Sequence, residues 1–200
     1  MNDRILYLPE APTERHYLIV YIDILGTKER LAQKDSSEVF EKVYYQFLLA
    51  GKVAPIMKKL NLMDIEVKIF SDNILFAYPI DNYYDREEIL EAYTKLGKFL
   101  KLFLSMFINN GVLFRGSITV DRLFINELMV WGKGLVSVVD LEENVAIYPR
   151  VILSEDLLMI FDQFGVSGFE YEEKFSCLID ADDCVFFDLF DYYDKDIGSL

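Results

Sequence analysis

Tyr17 to Leu25 (YLIVYIDIL) is apolar at almost every position and rich in β-branched and aromatic side chains. Such a run predicts a central strand buried on both faces. Asp35 then caps a helix, with Glu38 three positions later as in a capping box. Val39, Val43, Phe47 and Ala50 supply that helix with an apolar stripe. Ile65–Phe70 and Ile74–Tyr78 read as two short strands split by Ser71-Asp72-Asn73, which is turn chemistry, so the pair is a hairpin. Pro79–Tyr84 reads as a loop. Ile89, Tyr93, Leu96, Leu100, Phe103 and Phe107 recur at spacings of three and four and predict a long amphipathic helix, ended by Asn109-Asn110-Gly111.

Two further strands follow, Val112–Val120 and Phe124–Trp131, around a break at Asp121-Arg122. A short helix over Lys133–Glu143 comes next. Tyr148-Pro149-Arg150 then leads into a strand at Val151–Leu153, and Ser154 caps the following helix. Gly168–Phe190 reads as short strands with acidic turns. The order is β-α-β-β-α-β with a hairpin arm and C-terminal additions, an α+β sheet covered by helices on one face. At 200 residues the chain is long enough for one sizeable core and short for two. It reads as a single domain over 1–200, with a core at about 17–154 and an acidic extension at 155–200.

Composition narrows the chemistry. A hydrophobic share of 52% with 16 Phe and 13 Tyr belongs to a folded chain. A net charge of −14 repels phosphate backbones, so nucleic acid is not an expected partner. Glu170–Asp196 holds ten acids against Lys174 and Lys195. The plain reading is a solvated acidic face. Asp180, Asp182 and Asp183 are a candidate calcium cluster, although the glycine and closing glutamate of an EF-hand loop are missing. The one histidine, His16, excludes multi-histidine zinc sites. Cys177 and Cys184 form neither a CxxC pair nor a disulfide framework and read as reduced thiols. Met1–Glu10 is charged and contains Pro9, unlike a signal peptide. Phe99–Ile108 is about half the length a membrane span needs. The expected setting is cytoplasmic, without membrane insertion.

Asp23 and Asp72 are the informative residues. Asp23 interrupts an apolar strand near its C-terminal end, where a carboxylate is costly unless paired. Asp72 lies in the first hairpin turn. A right-handed first crossover makes the first two strands parallel, so the third can lie antiparallel beside the first. The end of strand one then meets the start of strand three, and both aspartates reach one edge of the sheet. Two close carboxylates repel unless a proton or a cation intervenes. Mg²⁺ suits such a pair, because it takes hard oxygen ligands from one or two carboxylates together with substrate phosphates.

Tyr21-Ile22-Asp23-Ile24-Leu25-Gly26 resembles the first metal motif of class III nucleotidyl cyclases, and Lys68-Ile69-Phe70-Ser71-Asp72 resembles their second. Arg115-Gly116-Ser117-Ile118 is similar to their Arg-x-Gly-Ile strand. Trp131-Gly132 with Leu141-Glu142 is similar to their dimer arm and helix. Within that family, the Ser-Asp turn, Phe114-Arg115-Gly116 and Tyr148-Pro149-Arg150 resemble the stand-alone bacterial pyrimidine cyclases of the Pycsar anti-phage system.

The resemblance implies a ferredoxin-like core and a head-to-tail homodimer with sites at the interface. It implies conversion of a nucleoside triphosphate, UTP or CTP, to a 3′,5′-cyclic nucleotide and pyrophosphate, read by a separate effector. It places two Mg²⁺ or Mn²⁺ ions on Asp23, Asp72 and the Ile24 carbonyl. Arg115 joins the two aspartates as a catalytic residue, and Lys68, Ser71 and Arg150 are substrate-binding. Lys68 falls at a base-selecting position where lysine accompanies adenine in purine cyclases. Met129, Val136 and Asp140 depart from the family pattern where Asp or Cys, Asn and Arg are expected, which argues against a standard adenylate or guanylate cyclase and gives the phosphate role to Arg115 or Arg150. The alternatives are a catalytically silent cyclase-like domain that binds nucleotide or a partner, and an interaction module whose acidic tail docks a basic protein.

Overall fold

The computed structural model describes residues 12–27, 64–163 and 175–189, together with Ala32, Glu41, Tyr44 and Gly165. The chain runs β1 (Arg15–Ile24), β2 (Glu66–Phe70), β3 (Asn73–Ile80), α1 (Arg86–Ile108), β4 (Phe114–Ile125), β5 (Val130–Trp131), α2 (Lys133–Asn144), β6 (Val151–Leu153), α3 (Glu155–Gln163), β7 (Cys177–Ile179) and β8 (Val185–Phe187). The strands lie side by side as β2-β3-β1-β4-β6-β8-β7, with β5 paired to β4. The first four strands have the ferredoxin-like arrangement, and the α+β class expected from the pattern holds. Of the helix expected to start at Asp35, the backbone at Glu41 and Tyr44 is helical, and Thr27 and Ala32, ahead of the expected cap, are helical as well. Its capping box at Asp35 and Glu38 and its stripe of Val39, Val43, Phe47 and Ala50 lie outside the described residues.

β1 is buried on both faces because β3 and β4 flank it and helices cover it from above and below. Leu18, Val20, Ile22 and Ile24 point to one face and join α1 through Ile89, Leu96, Leu100, Phe103 and Phe107. Tyr17, Ile19 and Tyr21 point to the other and meet Val138 of α2. The expectation of helices on one face is therefore corrected. α2 has a stripe of its own, with Val138 and Glu142 buried and Leu135 and Val139 packed beside Val138. The odd-numbered side of β1 is the apolar surface available to it. The Ser117 hydroxyl donates to the Val138 carbonyl at 2.7 Å and ties α2 to β4.

α1 starts at Asp85, whose carboxylate accepts from Glu87 N at 2.9 Å and Glu88 N at 3.3 Å. Gly111 (φ 70°) follows its end. Two predicted boundaries move. β3 continues through Pro79 to Ile80, because β2 stops pairing at Ala77 and a missing N–H is tolerated on an open edge. β4 runs unbroken through Asp121-Arg122, because its ladder with β1 is continuous from Leu123 opposite Arg15 to Phe114 opposite Ile24. The reversal falls instead at Asn126–Met129. There the Asn126 carboxamide oxygen accepts from Leu128 N and Met129 N, both at 2.9 Å. Asp121 is accommodated by Lys133, 3.5 Å away.

The sheet extends into the C-terminal region. β6 lies parallel to β4, and the β7–β8 hairpin adds to β6 through Val151 opposite Phe187. The acidic turn expected there is Asp180–Asp183. Cys177 is buried beside the Tyr93 hydroxyl at 2.9 Å, and both cysteines are free. No helix among the described residues is long and apolar enough to cross a membrane.

Two substitutions probe this frame. Ser154→Ala removes the hydroxyl that accepts from Leu157 N at 3.2 Å, and should cost about 1 kcal/mol. For a chain of this size that lowers Tm by roughly 2–4 °C. Gly116→Ala should cost more, on the order of 1–3 kcal/mol. Its new Cβ would collide with the Tyr21 carbonyl oxygen and come within 2.7 Å of Ile22 Cδ1. Thermal denaturation of both variants checks the order, and a stabilised Gly116→Ala would refute the close packing of β4 on β1.

Candidate functional site

The sheet brings three functional positions to one rim. Asp23 pairs with Asn73 of β3 on one side and with Arg115 of β4 on the other. Asp72 precedes Asn73 in the β2–β3 turn, where Ser71 adopts a left-handed backbone (φ 57°). The turn is tied to β1, since Ile24 N donates to the Asp72 carbonyl at 3.1 Å. Just past β1, Leu25 N donates to the Leu113 carbonyl at 2.9 Å, and the Thr27 hydroxyl donates to the Ile24 carbonyl at 3.0 Å. The two aspartates, 49 positions apart, are thus held on adjacent strands by backbone bonds rather than by loose side-chain contact.

The carboxylates share one close cation. Arg115 Nε donates to Asp23 Oδ2 at 3.4 Å and makes a closer ion pair with Glu142 Oε1 from α2. The exposures of the three side chains are 19% for Asp23, 26% for Arg115 and 4% for Glu142. Burial raises the proton affinity of Asp23, neighbouring Asp72 raises it further, and Arg115 opposes both. Burial pushes Glu142 up to about 7 against the pull of Arg115, with Asp23 and Glu143 adding to the rise. The Tyr21 hydroxyl is pushed up to about 12, first by burial and then by the same acids. The rim is strongly negative, and Arg115 neutralises only part of it.

This donor set fits a hard divalent cation. It offers two carboxylates and a backbone carbonyl with neither imidazole nor thiolate, which suits Mg²⁺ or Mn²⁺. Among the described residues no cluster of three or more His, Cys, Asp or Glu gathers as a metal centre, and the candidate ligands are those the resemblance implies, Asp23, Asp72 and the Ile24 carbonyl. The mutual repulsion that raises Asp23 is what a cation between the two aspartates would relieve.

The other predicted residues are divided. Ser71 is exposed in the turn beside Asp72, and Lys68 is half-buried on β2, opposite Leu75. Arg150 immediately precedes β6 next to the rim, its carbonyl accepting from Gly116 N at 2.9 Å. Its guanidinium, only 5% exposed, is held by Asp180 at 2.6 Å and by both oxygens of Asp182. Those acids hold it fully charged, and it in turn depresses Asp182 below the usual carboxylate range. The candidate calcium cluster is corrected by the same contact, because the cation on Asp180 and Asp182 is Arg150. Met129, Val136 and Asp140 are all exposed.

Glu142 was not singled out as a site residue from the sequence. Its signal was available: an acid four positions after Val138, on the buried stripe of α2, is the helical counterpart of Asp23 on its apolar strand.

No family model matches the chain, and no curated protein matches it. Solved structures do. The guanylyl cyclase domain of the RhoGC fusion protein from the aquatic fungus Blastocladiella emersonii superposes with a TM-score of 0.57 at 11% identity, over 76% of this chain and 88% of that one. The guanylyl cyclase Cya2 gives 0.53 at 13%, over 88% and 92%. A class III adenylyl cyclase-like ATP-binding protein from Pseudomonas aeruginosa gives 0.55 at 9%, over 96% of this chain and 42% of that one. At these identities the likeness is one of fold, and the fold is that of class III cyclase domains.

The raised Glu142 sets a pH dependence. An acid whose folded pKa stands above its ordinary 4.5 binds its proton more tightly in the folded state, so stability falls as pH rises from 4.5 toward 7. Asp23 acts in the same direction. Asp182 acts only below the ordinary carboxylate range and does not interfere. Denaturant titrations across that window, with chelator present, should show the decline, and Glu142→Gln should flatten it. Rising stability in wild type would contradict the assignment.

Proposed function

We propose that this chain is a nucleotidyl cyclase that converts a nucleoside triphosphate to a 3′,5′-cyclic nucleotide and pyrophosphate. The observation that carries this reading is the placement of Asp23 at the end of β1 beside Asp72 in the β2–β3 turn, where burial and then Asp72 raise the proton affinity of Asp23. Asp23, Asp72 and the Ile24 carbonyl would hold two Mg²⁺ or Mn²⁺ ions. When bound, such ions acidify a ribose hydroxyl and neutralise triphosphate charge. The protein's part is placement: β1 and the β2–β3 turn fix the two carboxylates, and Arg115 adds a positive charge beside Asp23. Ser71, next to Asp72, and Lys68 on β2 contact substrate in this reading. Arg150, spent on Asp180 and Asp182, does not.

The finer reading is a pyrimidine cyclase acting on UTP or CTP, its product serving as a signal in bacterial anti-phage defence read by a separate effector. Its support is the set of departures at Met129, Val136 and Asp140 together with the Ser71-Asp72 turn. We read the whole chain as one catalytic unit working in the cytoplasm as a homodimer with sites at the interface. Leu128, Met129 and Trp131 on the β4–β5 arm and Val136 on α2 are large, apolar and exposed, which favours a covered surface there. One observation favours a second reading, nucleotide binding without turnover: Val136 and Asp140 lie one turn apart on α2 and offer neither an amide nor a cation.

Incubation with each of the four nucleoside triphosphates and Mn²⁺ separates these readings. The expected result is pyrophosphate and a cyclic product from UTP or CTP, reduced to background by Asp72→Asn. Product from ATP or GTP alone would overturn the pyrimidine assignment. Nucleotide bound but unconverted would favour the second reading, and binding by Asp23→Ala equal to wild type without any product would refute the metal site.

A further inference from the structure

Arg115 stands between two acids that hold it unequally. Glu142 comes from the buried stripe of α2, is 4% exposed, and makes the closer contact. Asp23 is reached only at 3.4 Å. Arg115 is itself 26% exposed, so it has room to move, whereas Glu142 has little. Glu142 Oε1 is buried, and Arg115 Nε is the cation against it. A guanidinium fully engaged with Asp23 would occupy the carboxylate that a divalent cation needs.

We infer that Glu142 is a positioning residue that draws Arg115 away from Asp23 and thereby sets the affinity of the rim for divalent cations. The inference rests on the metal site proposed above and concerns a residue outside its ligand set. Without the Glu142 charge, Arg115 has Asp23 as its remaining close partner and competes with the metal. Without Arg115, the competitor is gone and Glu142 has nothing to act through. Residues that act on a metal ligand from behind change affinity by about 10- to 100-fold.

The test is Mn²⁺ binding by the full chain without nucleotide, followed by calorimetry or by the free-ion paramagnetic resonance signal, at a pH where Glu142 is ionised. Glu142→Gln should weaken Mn²⁺ by about 10-fold or more, and Arg115→Gln should tighten it. In the Arg115→Gln background, adding Glu142→Gln should change affinity less than about threefold, since the two side chains act as one unit. Equal weakening in both backgrounds would mean that Glu142 acts only as a distant charge, and would overturn the inference. Unchanged affinity in Glu142→Gln would overturn it too. If Glu142→Gln does not fold, Arg115→Gln alone decides, because failure to tighten refutes the competition. Mn²⁺ binding that Asp72→Asn leaves intact, or its absence from wild type and Arg115→Gln alike, refutes the metal site itself.

Discussion

One guanidinium among several acids is the constraint on which the rim depends. Asp23 sits at the end of a strand whose other side chains are almost all buried, and Glu142 sits on a helix stripe that is otherwise apolar. Neither position is a place where a folded protein gains stability from a carboxylate. Arg115 makes both tolerable, and its own strand is fixed by a ladder with β1 that runs over ten residue pairs. The ladder thus delivers Arg115 to Asp23 by register, while α2 delivers Glu142 from the opposite direction. Removing Arg115 would leave both carboxylates without their close cation, whereas removing either acid leaves Arg115 the other.

The same arrangement is only partly neutralised. Asp72 and Glu143 add negative potential that Arg115 does not cancel, and the proton affinities of Asp23 and Glu142 are raised by burial and further by neighbouring acids. A structural network would be expected to close its charge balance. A residual deficit at this rim would favour a divalent cation, and in the proposed reading that cation would admit a polyanionic substrate that the chain's overall −14 would otherwise repel.

Much of this was legible before the structure. The aspartate in the YLIVYIDIL run stood out because strand burial makes acids rare, and turn chemistry located Asp72. Topology alone then put them at one edge, as the pairing of Asp23 with Asn73 bears out. What escaped reading depended on partners distant in the chain. Asp121-Arg122 carries a local signal for a turn, and the β1 ladder overrides it. α2 shows an amphipathic period, but nothing in a period says which face of the sheet it will cover. The partners of Arg150 lie 30 and 32 positions away, beyond the reach of any local pattern. Glu142 was visible as an acid on an apolar stripe, and its meaning came only with Arg115 opposite.

Arg115 and Arg150 show how neighbours, rather than residue type, decide what an arginine does. Arg115 is the second residue of β4 and Arg150 immediately precedes β6, and their backbones are next to one another through the Gly116–Arg150 bond. Arg150 is almost wholly buried and gripped by two aspartates that are each nearly half exposed. Both of its terminal nitrogens are held, and the acids reach water, so it serves as a strut joining the start of β6 to the β7–β8 hairpin. Arg115 is the more exposed of the two, yet the acids around it are the more buried. Its contacts are uneven, and the carboxylates it serves outnumber it. A cation in the first setting has no reason to move, while one in the second can be redistributed by any new positive charge that reaches Asp23. The sheet therefore places two arginines in unlike settings beside one another, and in the proposed reading only Arg115 belongs to the site.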